Sequence, residues 1–493
     1  MLKIRNITLI LLLCACFVTQ NLAQPCFPGQ IVTATMATGG SSVNKERVLW
    51  LTWGSTDQTA YPYGRHNRAL SEGDKSYASI LLGSGQYLCI EAEITEISGG
   101  AVNSYAPGNY AGDSMDDLYN IGGTGGDNQL VAGIINRHDG DESIVTFKCK
   151  ATISGKPIRI SGLVVADAES LAVSEYIYAT ADGNWNLVEV QKKTSNSNPY
   201  DVRKEDSASG QTIQFLRGND DNTAAIAFLS FNPSAYNTAG TNPDLSVTFQ
   251  ATLKGNGLTA LAMGLLVPDM DFGDAPESYG NPIHLLHNIT FTDDGIDAVP
   301  EASDPDDGVI NINTVDYTPG SLIPTEGRYL GSVAPDHDGS LMHSKDALGD
   351  NNSGTAGTDE EDAWPIQYRR FSYKEYYLPH MQIQAQIAFG NGEVGDRISG
   401  WIDFDLNGTF DNDEISTAQI TTTDINNGYV TLTWTVPPTR RIYNTYVRLR
   451  YFDKTEDYSL PDHAVNYGEV EDHRMYVLGP GVTNPTLLNR PKN

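Results

Sequence analysis

The chain has 493 residues, with 32 Lys+Arg against 62 Asp+Glu, a formal charge of −30 and a pI near 4.5. Such acidity argues against nucleic acid or anionic lipid as the main partner, because phosphate binding depends on Lys and Arg, and it favours cations. With 40% hydrophobic residues the chain is foldable rather than disordered, and its length suggests two or three domains.

Residues 1–23 read as a secretion signal. Lys3 and Arg5 precede the apolar run Leu9 to Val18, which is too short to span a bilayer, and Ala23 supplies a small residue for cleavage before Gln24. A competing, minority reading takes Leu13-Cys14-Ala15-Cys16 as a lipobox with Cys16 lipidated. Both routes lead to a secreted or cell-surface protein, and no later stretch has the length and apolarity of a transmembrane segment. Cleavage at Ala23 leaves Cys26, Cys89 and Cys149. Cys89 and Cys149 fall mid-strand, where they either pair across a sheet, leaving Cys26 odd, or act as small buried hydrophobes.

Further along, the period of the sequence is two. Residues 47–53, 87–94, 158–165, 245–253, 429–436 and 446–452 are alternating or β-branched, and Gly, Asn, Asp and Pro clusters separate them. No long amphipathic helix stands out. The expectation is an all-β chain of two antiparallel β-sandwich modules with long Asp/Gly-rich loops.

Composition shifts near Pro268. Residues 24–267 hold 16 basic and 25 acidic residues, a net of −9, whereas 268–493 hold 14 and 37, a net of −23. In the second half 26 of the 37 acids are Asp, which favours turns over helix faces. The expected domains are therefore 24–267 and 268–478, the latter split into a loop-rich acidic part (269–362) and a strand-rich part (366–478), with a tail at 479–493.

The sharpest motif runs from Asp403 to Glu414 and satisfies D-x-[DN]-x-[DN]-G-x5-E. Asp403, Asp405, Asn407, the Thr409 carbonyl, Asp411 through a water, and Glu414 have the spacing that encloses Ca²⁺, and Gly408 permits the sharp turn. The flanks, Ser399 to Ile402 and Ala418 to Thr422, are strand-like, so the loop would sit between strands rather than helices. The competing reading is an ion-free Asp/Asn/Gly turn. Calcium is the favoured one, because four carboxylates in one short loop repel one another unless a cation neutralises them.

Other acids cluster at Asp271, Asp274 and Glu277, at Asp336 and Asp338, at Asp350, and at Asp359 to Asp362. Near the C-terminus stand Glu469, Glu471 and Asp472, followed by His473. All are secondary metal or structural candidates. Glu469 and Glu471 share one face of a strand, and Arg448 and Arg450 have the same spacing, which allows a cross-strand ladder between the two pairs, but a solvated face of little energy is the favoured reading. Asp167 with Glu169 is a structural pair or a second cation site. The stretch Tyr368, Phe371, Tyr373, Tyr376 and Tyr377 beside Arg369 and Arg370 has interface chemistry or is ordinary strand. His284, His287, His337 and His343 lack partners at zinc-site spacing.

These motifs carry a resemblance. The DFGDAPESYG opening, the DHDG and TDEED runs, the WIDFDLNGTFDNDE loop, the YVRLRY strand and the terminal GEVEDH resemble the GEVED domain of secreted and cell-surface bacterial proteins over about 269–478. His473 stands where that family usually has Tyr, and Asn351 where it usually has Asp. The first half, through residues 160–170, Glu175-Tyr176 and Gly183 to Trp185, is similar to the non-repetitive domain of CshA-type fibrillar adhesins. The resemblance implies a lectin-like β-sandwich that binds host proteins.

The favoured reading is a non-enzymatic adhesion or matrix protein stabilised by calcium, with an extracellular protein or glycan as partner. Carbohydrate binding is the alternative. A secreted glycoside hydrolase is third, since its paired carboxylates carry no local signature, while G-x-S-x-G, H-E-x-x-H and a Cys/His/Asn constellation are all missing from the sequence.

Overall fold

The computed structural model describes residues 26–28, 34–36, 47–54, 68–83, 86–105, 131–167, 171–181, 183, 185–193, 200–207, 210–217, 224–231, 233–257, 259–286, 289–290, 309–310, 323–324, 327–338, 341–349, 360–372, 381–437 and 443–478. Residues 1–23, expected to be a secretion signal and including Cys16, together with Glu169, His287, Asp350, Asp359, Tyr373, Tyr376, Tyr377 and 479–493 lie outside them.

Alternation builds the first half. Val247–Lys254 turns Val247, Phe249, Ala251 and Leu253 inward and the residues between them outward, and Glu142–Ile153 alternates in the same way. These strands belong to a nine-stranded sheet ordered Val309–Ile310, Tyr200–Ser207, Gly210–Arg217, Tyr176–Ala181, Val247–Lys254, Glu142–Ile153, Gln86–Gly99 and Lys75–Gly83, with Lys156–Ile158 added on Glu142–Ile153. An eight-stranded sheet runs Thr35–Met36, Val48–Trp50, Ala260–Leu266, Gly162–Asp167, Ala224–Phe231 and Trp185–Lys193, with Val102–Tyr105 and Gly133–Asn136 off that path. Their facing side chains, among them Leu163, Val165, Met263, Phe147, Ile177 and Phe249, form one apolar core. All pairings in both sheets are antiparallel.

The strand expected over 158–165 is broken. Lys156–Ile158 lies in one sheet and Gly162–Asp167 in the other, so the chain crosses between layers at residues 159–161. Gly162 makes the crossing possible, since a Cβ there would stand 2.0 Å from the Leu229 carbonyl oxygen.

The cysteine pairing also differs from expectation. Cys26 bonds Cys89, with Cα atoms 5.8 Å apart, and Cys149 is free and buried. The reason is parity. Cys89 sits between the buried Leu88 and Ile90 and so faces outward, while Cys149 shares the inward face of Phe147 and Ala151. The two cannot meet.

The second half forms another sandwich. Tyr329–Leu330, Met381–Gly390 and Tyr429–Val436 make one sheet. Arg370–Ser372, Val470–Leu478, Tyr443–Phe452, Arg397–Ile402 and Ile415–Gln419 make the other, and Ile383, Ile387, Leu432, Ile398, Leu449 and Met475 fill the space between them. Thr422, expected to be strand-like, begins the single α-helix among the described residues, Thr422–Asn427, capped by a Thr421/Asp424 box and ended by Gly428 at φ +76°.

A small mixed sheet joins the halves. Met270–Phe272 pairs with Ile283–Leu285, which runs parallel to Ala464–Asn466. Met270, Phe272, Ile283, Leu285 and Ala464 are buried in the apolar core of the first sandwich. Arg47 with Asp269 (2.7 Å) and Lys156 with Glu456 (3.1 Å) add ion pairs across the junction.

Candidate metal centre

The loop 403–414 connects Arg397–Ile402 to Ile415–Gln419, the last hairpin of the five-stranded sheet. Asp403 is fully buried, and Glu414 is also buried, while Asp405 is exposed. Carboxylate oxygens of these three lie within 4.8 Å of one another. Asp403 accepts hydrogen bonds from the Leu406 amide (2.6 Å), the Gly408 amide (3.1 Å) and the Tyr279 hydroxyl (2.6 Å). Leu406 and Gly408 hold φ of +64° and +84°, the curl that turns their amides back onto Asp403. Glu414 accepts from the Phe404 (2.6 Å) and Asp411 (3.1 Å) amides. Burial, reinforced by the Asp403 charge, pushes its carboxyl up to about 7.

The remaining candidates of the loop are tied together at its rim. Asn407 Nδ2 donates to Asp405 (3.2 Å) and Asp411 (2.6 Å), and Asn407 Oδ1 accepts from the Thr409 amide (2.9 Å) and hydroxyl (2.7 Å). The structure thus gathers Asp403, Asp405, Asn407, Asp411 and Glu414 around one turn. The donor set is oxygen throughout and its carboxylates are crowded, which is the chemistry a hard divalent cation fits. No cation-compensating Lys or Arg is paired with Asp403 or Glu414 among the described residues.

Most acids outside the loop do something else. Asp271 accepts from the Val470 amide (2.7 Å), Asp274 from Gly349 (2.6 Å) and Asp338 from Phe272 (2.9 Å). Asp362 accepts from the Ser332 amide (2.8 Å), and Glu360 from the Asp336 amide (2.6 Å). Glu469 accepts from Leu330. Asp274, Asp338, Asp362 and Glu360 tie the loop-rich segments to one another, and Asp271 and Glu469 tie them to the start of the last strand, as strong charge-assisted bonds to backbone amides.

The solvated face favoured from the sequence is instead buried, and the alternative ladder forms with its register shifted by one residue. Arg448 stands opposite Asp472 and Arg450 opposite Val470, so Glu469 and Glu471 occupy the other face. Arg448, fully buried, grips Asp472 with Nε (2.8 Å) and Nη2 (2.7 Å) and donates to the Tyr279 carbonyl (2.7 Å). Arg450 donates to His284 Nε2 (3.0 Å) and to the His463 carbonyl (2.6 Å), and burial with the Arg448 charge lowers it to about 9. His284 is thereby a core hydrogen-bonding group, and its protonated form is suppressed by burial and Arg450.

On the opposite face two of the acidic clusters read from the sequence meet, a grouping that the sequence did not indicate. His473 Nε2 is 2.8 Å from Glu471 Oε2 and 3.8 Å from Glu361 Oε2, and all three residues are buried. Glu361 comes from a distant segment, so local spacing offered no signal for it. Burial and the charges of neighbouring acids raise the carboxyls of Glu361 and Glu469, and burial raises that of Glu471.

The other candidates resolve simply. Asp167 is buried. Tyr368 is half-buried and donates to the Gln384 carbonyl (2.8 Å), which makes it a tether between sheets. His343 contacts the Ala275 carbonyl and Asn281, and His337 receives the Met270 amide.

Residues 46–267 match the family model for the surface adhesin CshA non-repetitive domain 2, and residues 397–476 match that for the GEVED domain. The chain carries a CshA-type adhesin domain followed by a GEVED domain. None of the curated proteins matches it. Among solved structures, it is similar to the N-terminal domain of the Streptococcus gordonii adhesin Sgo0707, at 8% identity and a TM-score of 0.31, covering 87% of this chain and 83% of that one. The GEVED match begins at 397 rather than 269. It includes the 403–414 loop, Arg448 and Glu469 to His473, whereas Asp271, Asp274 and Glu361 lie before it and reach it through the fold. No helix among the described residues is long and apolar enough to cross a membrane.

Proposed function

We propose that the protein is a non-enzymatic, secreted or cell-surface adhesion or matrix protein whose GEVED domain is stabilised by Ca²⁺ in the 403–414 loop. The adhesin-domain match over 46–267 carries the adhesion reading. In the calcium reading, Asp403, Asp405, Asn407, the Thr409 carbonyl, Asp411 and Glu414 hold the ion, which supplies the positive charge that the buried Asp403 and Glu414 lack. The ion braces a hairpin that packs on Tyr279 and through it on the junction sheet. The adhesin sandwich is the binding module, and the GEVED domain fixes its pose.

A glycan ligand is the second reading. Tyr176 and Tyr178 stack 4.5 Å apart on the outward face of Tyr176–Ala181, beside Thr180 and Thr212, which is a platform suited to sugar rings. One experiment separates the two: the purified chain is applied in calcium to immobilised extracellular-matrix proteins and to a glycan array. Saturable binding to a protein supports the first reading, and binding to sugars alone, lost in Tyr178→Ala, replaces it with the second. Turnover of a polysaccharide, abolished by one Asp or Glu substitution, would overturn both.

A further inference from the structure

We infer a second metal site, distinct from the calcium loop, at Glu361, Glu471 and His473, for a zinc-class divalent ion. Three observations converge on it. The ligand atoms of the three side chains lie within 4.8 Å of one another, and two pairs are 2.8 and 3.8 Å apart. Two donors bonded to one Zn²⁺ at about 2.0–2.2 Å in tetrahedral geometry stand roughly 3.4 Å apart, a value those distances bracket.

The second observation is an orphaned acceptor. Glu361 is only 4% exposed, yet its Oε2 accepts no hydrogen bond among the described residues, and it points at the His473 ring nitrogen. A buried carboxylate oxygen without a donor is costly, and native proteins rarely keep one without a use. Glu471, by contrast, is fixed by the Ala363 amide (2.9 Å), as a ligating carboxylate is by its outer partners.

The third is charge. Asp274, Glu471, Asp472 and Asp271 all act on Glu361, and Arg448 is committed to Asp472. The surroundings favour a cation. An imidazole nitrogen with two carboxylates suits zinc-class ions, whereas calcium takes six to eight oxygens. In the bound form His473 Nε2 offers its lone pair to the ion, and the proton shared between it and Glu471 passes to solvent. A water fills the fourth position.

The test uses the full chain, stripped of metal and dialysed into calcium so that the loop is supplied. Co²⁺ is titrated in and followed by its visible absorption, then displaced by Zn²⁺. One equivalent is expected, with the absorption of a low-coordinate site. Glu361→Gln and His473→Gln weaken Zn²⁺ binding by about 100-fold or more, at or beyond the upper end of outer-shell losses. Asp403→Asn leaves it unchanged, so failure of the calcium reading and failure of this one are distinguishable. Unfolding curves of the metal-free variants check the fold. Unchanged Zn²⁺ affinity in Glu361→Gln overturns the assignment, as does a metal-free unfolding midpoint that collapses in both variants, which would make the triad purely structural.

Discussion

The two sandwiches are built from strands of equal regularity and fill their interiors in opposite ways. The first packs Phe147, Phe249, Ile177, Leu163 and their neighbours into one apolar core. The second has a smaller apolar core and, around its last strands, buries Arg448, Arg450, Asp472, Glu469, Glu471 and Glu361. The first interior is held by volume and apolar contact, the second by charge balance and hydrogen bonds. Stability of the first should depend on shape, and that of the second on ions and pH.

The largest effect tests that contrast directly. Arg448→Ala leaves the Asp472 carboxylate buried and the Tyr279 carbonyl without its donor, and is expected to cost about 3–5 kcal/mol. Phe147→Ala, which removes a ring stacked 5.1 Å from Phe249, is expected to cost about as much through its cavity. The two differ in rescue. Asp472→Leu added to Arg448→Met recovers most of the loss, because an apolar pair can replace a buried ion pair, whereas no charge change elsewhere rescues Phe147→Ala. Denaturant unfolding measures all three variants. A cost near zero for Arg448→Ala would end the contrast.

Chelation comes next. An ion that binds the folded loop and not the unfolded chain adds about 2.7 kcal/mol at a calcium concentration about 100 times its Kd. Thermal unfolding in calcium and then in EDTA should differ accordingly, and Glu414→Gln should lose the difference while Phe147→Ala keeps it. Equal midpoints with and without EDTA would remove the ion from the account of the second sandwich.

Much of this was legible in the sequence, and the failures have a common cause. Alternation pointed to strands over 245–253 and 429–436, found as Val247–Lys254 and Tyr429–Val436, because one buried face forces period two. The loop 403–414 was legible because its candidate ligands are local. The register of Arg448 on Asp472 was not, since equal spacing on two strands leaves a one-residue slip open. The acidic cluster at 359–362 was legible, but the meeting of its Glu361 with Glu471 was not, because the two lie 110 positions apart. The cysteines, left open between a Cys89–Cys149 bond and small buried hydrophobes, resolve by parity: Leu88 and Ile90 turn Cys89 outward to Cys26, and Cys149 is the buried hydrophobe.

The pH dependence is smaller and has a definite sign. The folded Glu414 carboxyl sits at about 7, above its ordinary 4.5, so the folded state holds the proton more tightly than the unfolded state. Its contribution is fully present below about pH 4.5 and is lost as pH rises through about 7, and the raised Glu361, Glu469 and Glu471 act in the same direction. In EDTA, stability attributable to Glu414 should fall by about 2 kcal/mol over that window. Calcium, which needs the ionised carboxylate, should reverse the slope. In EDTA, Glu414→Gln should flatten its share of it, and an unchanged profile in that variant would assign the pH dependence to the other acids.

The smallest effect reports on how the opening motif meets the loop. Tyr279 donates its hydroxyl to Asp403 (2.6 Å), and its ring packs on Phe410 at 4.7 Å between centroids. Tyr279→Phe keeps the ring and removes one bond to a buried charge, a loss of about 1 kcal/mol. In EDTA the hydroxyl is one of three donors on Asp403 among the described residues, so the loss should be at its largest. With calcium bound, the ion carries most of that charge, and the loss should shrink. Unfolding of Tyr279→Phe in the two conditions measures the difference. A loss that grows in calcium would mean that the hydroxyl orients Asp403 for the ion rather than standing in for it, and the second sandwich would then owe its ion site to a residue that precedes the matched GEVED span.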